Sequence, residues 1–181
     1  MTAGSGSSAA SAQLHDQEYK DTDAAAAAYG SSNEHLLDLL ARHDFLLRRE
    51  LVRSGPGKPS DLPGFAVITE DEVARLLDLA DRQRPPGAVH SEAEIRGIER
   101  AAADLRRLID IRARRTLACG KRLPIIELAH RFALSPLEID IVVACLAAEI
   151  DPRYERIYGY LQDDMSRKQP SAGLALSLCC D

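Results

Sequence analysis

Residues 134–164 carry two helices together with the signals that start them. Ser135 stands where an N-cap belongs, Pro136 fills the first helical position, and Glu138 follows the Ser by three residues, as a capping box requires. Leu134 and Ile139 can close a hydrophobic staple over that start. The helix so opened runs through Ile141, Val142, Val143, Ala144, Cys145, Leu146, Ala147 and Ala148 with almost no polar face. A helix of that kind is expected at the centre of a domain, covered all round, and Cys145 is expected as a buried thiol. The β-branched residues also admit a strand, but the cap and the Ala-rich end favour helix. Asp151-Pro152 repeats the pairing of cap and first-turn proline, and Tyr154, Ile157, Tyr158 and Leu161 then form one apolar face. The expected fold class is mainly α, a helical bundle with its core in the second half of the chain.

The remaining residues extend that reading. A chain of 181 residues holds one domain, or one and a half, and needs no disulfide or metal staple. Trp is absent and aromatics are few, so Leu, Ala and Ile must fill the core, which suits helix-on-helix packing. Ala, Ser and Gly dominate the start of the chain, and 24–28 is a pure Ala run. Such a stretch buries too little apolar surface to offset its ordering entropy, so 1–31 is expected as a disordered low-complexity leader.

Ser31 and Glu34 form a capping box for a helix over 32–53, with Leu36, Leu40, Leu47 and Leu51 on one stripe. Ser54-Gly55-Pro56-Gly57-Lys58-Pro59 ends it. A brief strand at 65–68 and a helix from Thr69 to about Arg82, boxed by Glu72 and stapled by Ile68 and Val73, complete an N-terminal helical segment over 32–84. Arg84-Pro85-Pro86-Gly87 breaks the chain again.

Ser91 and Glu94 box a long helix over 91–118, whose Ile95, Ile98, Ala102, Leu105 and Ile109 alternate in steps of three and four. The seam is too short for a stable coiled coil, so an antiparallel partner inside the domain is expected. Gly120 stops that helix, and Pro124 starts a short one with Ile125, Ile126, Leu128, Ala129 and Phe132. Leu174, Leu176 and Leu178 open a last apolar element in which the chain stops. A helical domain over 88–181, truncated at its C-terminus, is therefore expected, its helices at 125–132 and 136–149 having the helix-turn-helix spacing of a winged-helix-like fold.

Chemistry is sparse. Cys119, Cys145, Cys179 and Cys180 include no C-x-x-C pair, which argues against a zinc or disulfide framework and for a reducing, cytoplasmic compartment. The N-terminus lacks a signal peptide's basic and apolar regions, and the apolar run 139–148 is too short to span a bilayer. Gly55-Pro56-Gly57-Lys58 imitates a phosphate loop, but Pro59 stands where a Ser or Thr must reach Mg²⁺. Glu149 and Asp151 read as a helix end and an N-cap, not as metal-binding acids. His35 and His43 lie about 12 Å apart along one helix, too far for one metal. No catalytic, cofactor-binding or metal-binding residue is assigned.

Interaction candidates are clearer. Arg106, Arg107, Arg112, Arg114, Arg115, Lys121 and Arg122 form a basic patch that only Asp110 opposes locally. A solvated helix end, its cations set against the C-terminal dipole, explains the latter half. The formal net charge of -5 argues against a general nucleic-acid binder. The helices at 125–132 and 136–149 have helix-turn-helix spacing, but the second is too apolar to lie in a major groove. Tyr154, Tyr158 and Tyr160 cluster with Arg153 and Arg156, residue types enriched at interface hot spots. Tyr154 and Tyr158 face the core with Ile157, leaving Tyr160 as the outward one. The candidate contact residues are thus Arg112, Arg114, Arg115, Arg153, Arg156 and Tyr160.

Leu134-Ser135-Pro136-Leu137-Glu138, Asp151, Arg153-Tyr154, Ile157-Tyr158, Tyr160-Leu161-Gln162-Asp163-Asp164 and Arg167 carry a family likeness. The segment 124–178 resembles the N-terminal region of a bacterial group of AAA-type ATPases. There a helical, winged-helix-like domain precedes the ATPase module, and some members are encoded with phage-tail-like contractile injection systems. The resemblance implies a parent that uses ATP and Mg²⁺ to remodel or energise a protein assembly. This chain has no Walker A, no Walker B strand and no arginine-finger context, so no nucleotide-binding residue carries over.

The expected role is a non-catalytic N-terminal domain that contacts a substrate, adaptor or assembly protein. Its nucleotide site would lie beyond residue 181, any oligomer would assemble through the absent ATPase module, and no membrane is involved. On this reading the apolar surface at 174–178 is left exposed. A stand-alone helical interaction protein would bury it, and a DNA-associated regulator would use the patch from Arg106 to Arg122.

Overall fold

Polar caps and left-handed turns set most of the boundaries of the six long helices among the described residues. The structure, a computed structural model, describes residues 26–54, 75–77 and 92–180. The helices are α1 (Ser32–Ser54), α2 (Glu92–Ala118), α3 (Pro124–Phe132), α4 (Pro136–Ile150), α5 (Pro152–Leu161) and α6 (Ala172–Cys179). Among the described residues there is no strand, and the mainly α expectation holds.

The Ser135 box is complete: Glu138 N–H donates to Ser135 Oγ at 3.3 Å and Ser135 N–H to Glu138 Oε2 at 2.7 Å. Asp151 caps α5 by accepting from Arg153 N–H at 2.9 Å. Ser31 accepts from Glu34 N–H at 3.3 Å, but the returning Glu34 carboxylate takes Gly30 N–H instead of its neighbour's. Each such cap is worth about 1 kcal/mol.

Three ends share one device, a residue at positive φ that lets the last carbonyls be satisfied. It is Gly120 (φ 72) after α2, Ala133 (φ 52) after α3 and Asp163 (φ 50) after α5. In each the next residue's N–H reaches back five positions: Lys121 to Thr116 O, Leu134 to Ala129 O, Asp164 to Gly159 O. Asp163 and Asp164, ill placed for the helix dipole, are thereby explained. Asp163 supplies the left-handed turn, and Asp164 Oδ1 accepts from Ser166 N–H and Oγ.

α1 is the spine. It packs along α2 and also touches α4, α5 and α6. The α1–α2 pair is antiparallel, since Arg53 near the end of α1 meets Glu99 near the start of α2, and Arg112 near the end of α2 meets Glu34 in the first turn of α1. The three-four seam on α2 is thus satisfied inside the domain: Ala102 and Ile109 are buried against Leu39, Leu40, Leu46 and Leu47 of α1. Val143, Ala147, Tyr154, Ile157, Tyr158, Leu174 and Leu178 complete that core. Tyr29, Ala113 and Leu123 make a second, smaller one.

Three expectations are corrected. Among the described residues α4 is not covered all round: Val143, Ala144, Ala147 and Ala148 are buried, but Cys145 is exposed, because α1, α5 and α6 all approach the opposite side. The leader does not extend to residue 31, since Ala26 and Tyr29 are buried, with Arg115 donating to Ala26 O and Tyr29 N–H donating to Thr116 Oγ1 at 2.8 Å. The apolar tail is not left bare: Leu174 and Leu178 are buried on one side of α6 and only Leu176 is 49 % exposed. A helix whose apolar residues fall four apart buries one stripe and leaves the rest. The leader over 1–25, the glycine-rich stretch at 55–59, the strand at 65–68, the Thr69 box and Ser91 lie outside the described residues.

Candidate functional site

Asp38, Arg42, His43, Asp44, Arg48 and Arg49 tie α1 to other elements. Asp38 accepts from Arg112 at 2.7 Å and from the Tyr29 hydroxyl at 2.9 Å, while the Arg112 guanidinium lies 4.0 Å from the centre of the Tyr29 ring. Burial, and then the Asp38 carboxylate, hold the Tyr29 hydroxyl protonated by pushing its pKa up. Arg42 meets Asp140 at 2.7 Å and Arg106 meets the same oxygen at 3.3 Å, tying α1 and α2 to α4 around a carboxylate whose side chain is 8 % exposed. Arg49, buried, donates to Leu178 O at 2.8 Å and Ser177 O at 3.3 Å, and so caps the C-terminal end of α6.

Asp44 accepts from Tyr154 Oη at 2.8 Å and from Arg153 at 3.1 Å. Its carboxyl pKa is nonetheless raised, because burial outweighs these partners. His43 lies 2.7 Å from Tyr158 Oη, which donates its proton to Ala144 O at 2.6 Å. The hydroxyl has only one proton, so His43 must donate from Nε2. Its Nδ1 is buried with no hydrogen-bond partner among the described residues. Burial, helped by the nearby Arg42 charge, lowers the His43 pKa to about 3. A neutral imidazole whose proton is already committed, sealed from solvent, is not a general base. Among the described residues no group of His, Cys, Asp or Glu could hold a metal ion.

The expected basic patch is largely absorbed in the same way. Arg112 serves Asp38 and Glu34, Arg115 donates to Ala26 O, and Lys121 Nζ donates to Tyr29 O at 2.9 Å. Arg107 pairs with Asp104 at 3.1 Å and Arg122 with Glu127 at 2.6 Å. Arg114, exposed, donates to Asp110 O. Asp110 is therefore not the only acid opposing the patch, because the fold brings Glu34, Asp38 and Asp140 to it from distant segments. Arg153 is tied to Asp44 and Leu76 O, a different cluster. Tyr160 does not stand outward as expected but packs, half-buried, against the core, while Arg156 is exposed. The six candidate contact residues do not form one site. Sequence reasoning missed His43, Arg49 and Asp140, which carry no local pattern.

α3, the turn Ala133-Leu134-Ser135 and α4 form a helix-turn-helix pair. The outward side of α4 presents Glu138, Val142, Cys145 and Glu149 at four-three-four spacing, with Ile141 and Leu146 beside them. Among the described residues, neither core cluster includes Ile141, Val142, Cys145 or Leu146. α4 contains no Lys, Arg, Asn, Gln or His, the side chains that read base edges besides the acids and hydroxyls. Its three charged residues are carboxylates.

A mainly α bundle that carries such a pair at its edge accords with the winged-helix class. The family described as Winged helix domain, variant, matches residues 17–181, and the chain belongs to that family. The match takes in α1 as well as the second half, where the likeness was expected. No curated protein and no solved structure matches the chain.

Proposed function

We propose that the chain is a non-catalytic protein-interaction domain of an AAA-type ATPase, a contact for a substrate, adaptor or assembly protein. The observation that carries the protein-binding half is the outward side of α4. The second helix of a helix-turn-helix pair would have to approach phosphates, yet it carries only carboxylates and apolar side chains there. The ATPase half rests on the likeness over 124–178 alone, since the burial of Leu174 and Leu178 is what a stand-alone interaction protein predicts. ATP and Mg²⁺ would then belong to a module outside these residues, and a reducing cytoplasm would suit four cysteines that are all free thiols.

Duplex DNA titrated against the purified chain at low salt tests the first half. No retardation is expected. Salt-sensitive retardation that Arg114→Ala weakens would replace this reading with the DNA-associated one. Reading the gene past the codon for Asp181 tests the second half. The expected frame continues to G-x-x-x-x-G-K-[ST] after an apolar strand, and an immediate stop codon would leave a stand-alone interaction protein.

A further inference from the structure

We infer that the outward side of α4 docks an amphipathic helix whose apolar stripe ends in Lys or Arg at both ends; this rests on the protein-interaction reading and names its partner class. α4 is the most apolar long helix of the bundle, yet α1, α5 and α6 all meet it on one side, through Asp140, Val143, Ala144, Ala147 and Ala148. Opposite them lie half-buried Ile141, Val142 and Leu146 around exposed Cys145. This apolar strip is short. Glu138 and Glu149 close it off, eleven residues apart and therefore about 16 Å along the axis.

Charge decides the occupant. A second copy packed antiparallel by two-fold symmetry would set Glu138 against the other copy's Glu149 at both ends of the contact. No base on α4 could relieve that repulsion. A duplex is repelled for the same reason. A helix of about three turns, apolar at i, i+3 or i+4 and i+7 with a cation at each end, matches the strip in length, polarity and charge. Both carboxylates have intramolecular partners that leave their charge in place: Glu138 takes the Ser135 cap and Glu149 Oε1 accepts from Gln169 at 2.7 Å. The partner cation adds to them without displacing a buried group.

The test uses the full chain and two synthetic fifteen-residue helical peptides with the same Leu stripe. One carries Lys at both ends, and its twin carries Glu. Amide shifts in ¹H–¹⁵N spectra locate binding, and fluorescence anisotropy measures it. The Lys-ended peptide is expected to shift residues 138–149 and to bind about tenfold or more tightly than its twin. Val142→Asp and Glu149→Lys are each expected to weaken it about tenfold. Alkylation of Cys145 by N-ethylmaleimide, followed by peptide mapping, gives a second readout that needs no variant. The Lys-ended peptide should slow it while leaving Cys119 unaffected.

Equal binding of the twins, shifts confined to other helices, or unprotected Cys145 would each overturn the docking surface. None of these would touch the protein-interaction reading, which fails only on DNA binding. Self-association of the chain that Val142→Asp abolishes would likewise overturn the proposal, in favour of a second copy.

Discussion

Ala133 occupies a conformation that suits glycine. It sits at φ 52 and ψ 40 in the turn between α3 and α4, exposed, where its N–H and that of Leu134 satisfy the last carbonyls of α3. A Cβ in the left-handed region costs about 1–2 kcal/mol, and the turn tolerates it because the helix ends on either side hold it there. Ala133→Gly should therefore stabilise the domain, by about 0.5–1 kcal/mol after the greater entropy of Gly in the unfolded chain is set against the relieved strain. A rise in the urea midpoint at unchanged m-value would confirm this, and a fall would mean the turn is more extended than φ 52 implies. Tyr158 sets a contrasting case. Tyr158→Phe leaves Ala144 O and the His43 Nε2–H without their partner in a buried place, so a loss of about 1–3 kcal/mol is expected by the same titration.

Helix starts were legible in the sequence because a cap is local: Ser135 and Glu138 are three residues apart, and Asp151 precedes its proline directly. The α2 seam was legible for a related reason, its period being written into 95–109. What the sequence hid was pairing at a distance. Asp140 is separated from Arg106 by 34 residues and from Arg42 by 98, and nothing near any of the three announces the others. An all-apolar helix also does not say which of its sides will be met, so Cys145 was expected inside and is outside. Half of the candidate site was therefore visible, the unsuitability of α4 for DNA, and half was not, the half-buried apolar strip around exposed Cys145. α6 depends on one such distant pairing. Arg49 is buried and bonds Ser177 O and Leu178 O at the end of a helix of only 8 residues, too short to hold by itself. Arg49→Met keeps much of the apolar stem but removes these charge-assisted bonds, a loss of about 1.5–3 kcal/mol. Hydrogen exchange should speed up over residues 174–180 well beyond any change in α2. Uniform acceleration would show that α6 opens only with the whole bundle.

The assembled domain couples its polar interior to acid. His43 joins α1 to α5, and through Tyr158 to Ala144 of α4, so its protonation is felt by three helices at once. Its pKa is about 3 in the folded chain against an ordinary 6.5. The unfolded chain therefore takes up the proton first as pH falls, and stability is lost from about pH 6.5 down to about pH 3. The slope approaches 1.4 kcal/mol per pH unit, or about 2 kcal/mol by pH 5. His35, also buried with a lowered pKa, acts in the same direction. Asp44 acts in the opposite one: its raised pKa means the folded chain binds that proton more readily, so acid relieves the burial of its charge. The imidazole shift is the larger, and the net expectation is acid destabilisation beginning near pH 6.5, above the range where ordinary carboxylates titrate. His43→Gln separates the two contributions. Its amide can still donate to Tyr158 Oη but does not titrate, so urea titrations between pH 7 and 5 should show a flattened slope relative to the parent chain. An unchanged slope would move the acid response to His35 and the surface carboxylates, and would mean that His43 is reached by water without unfolding.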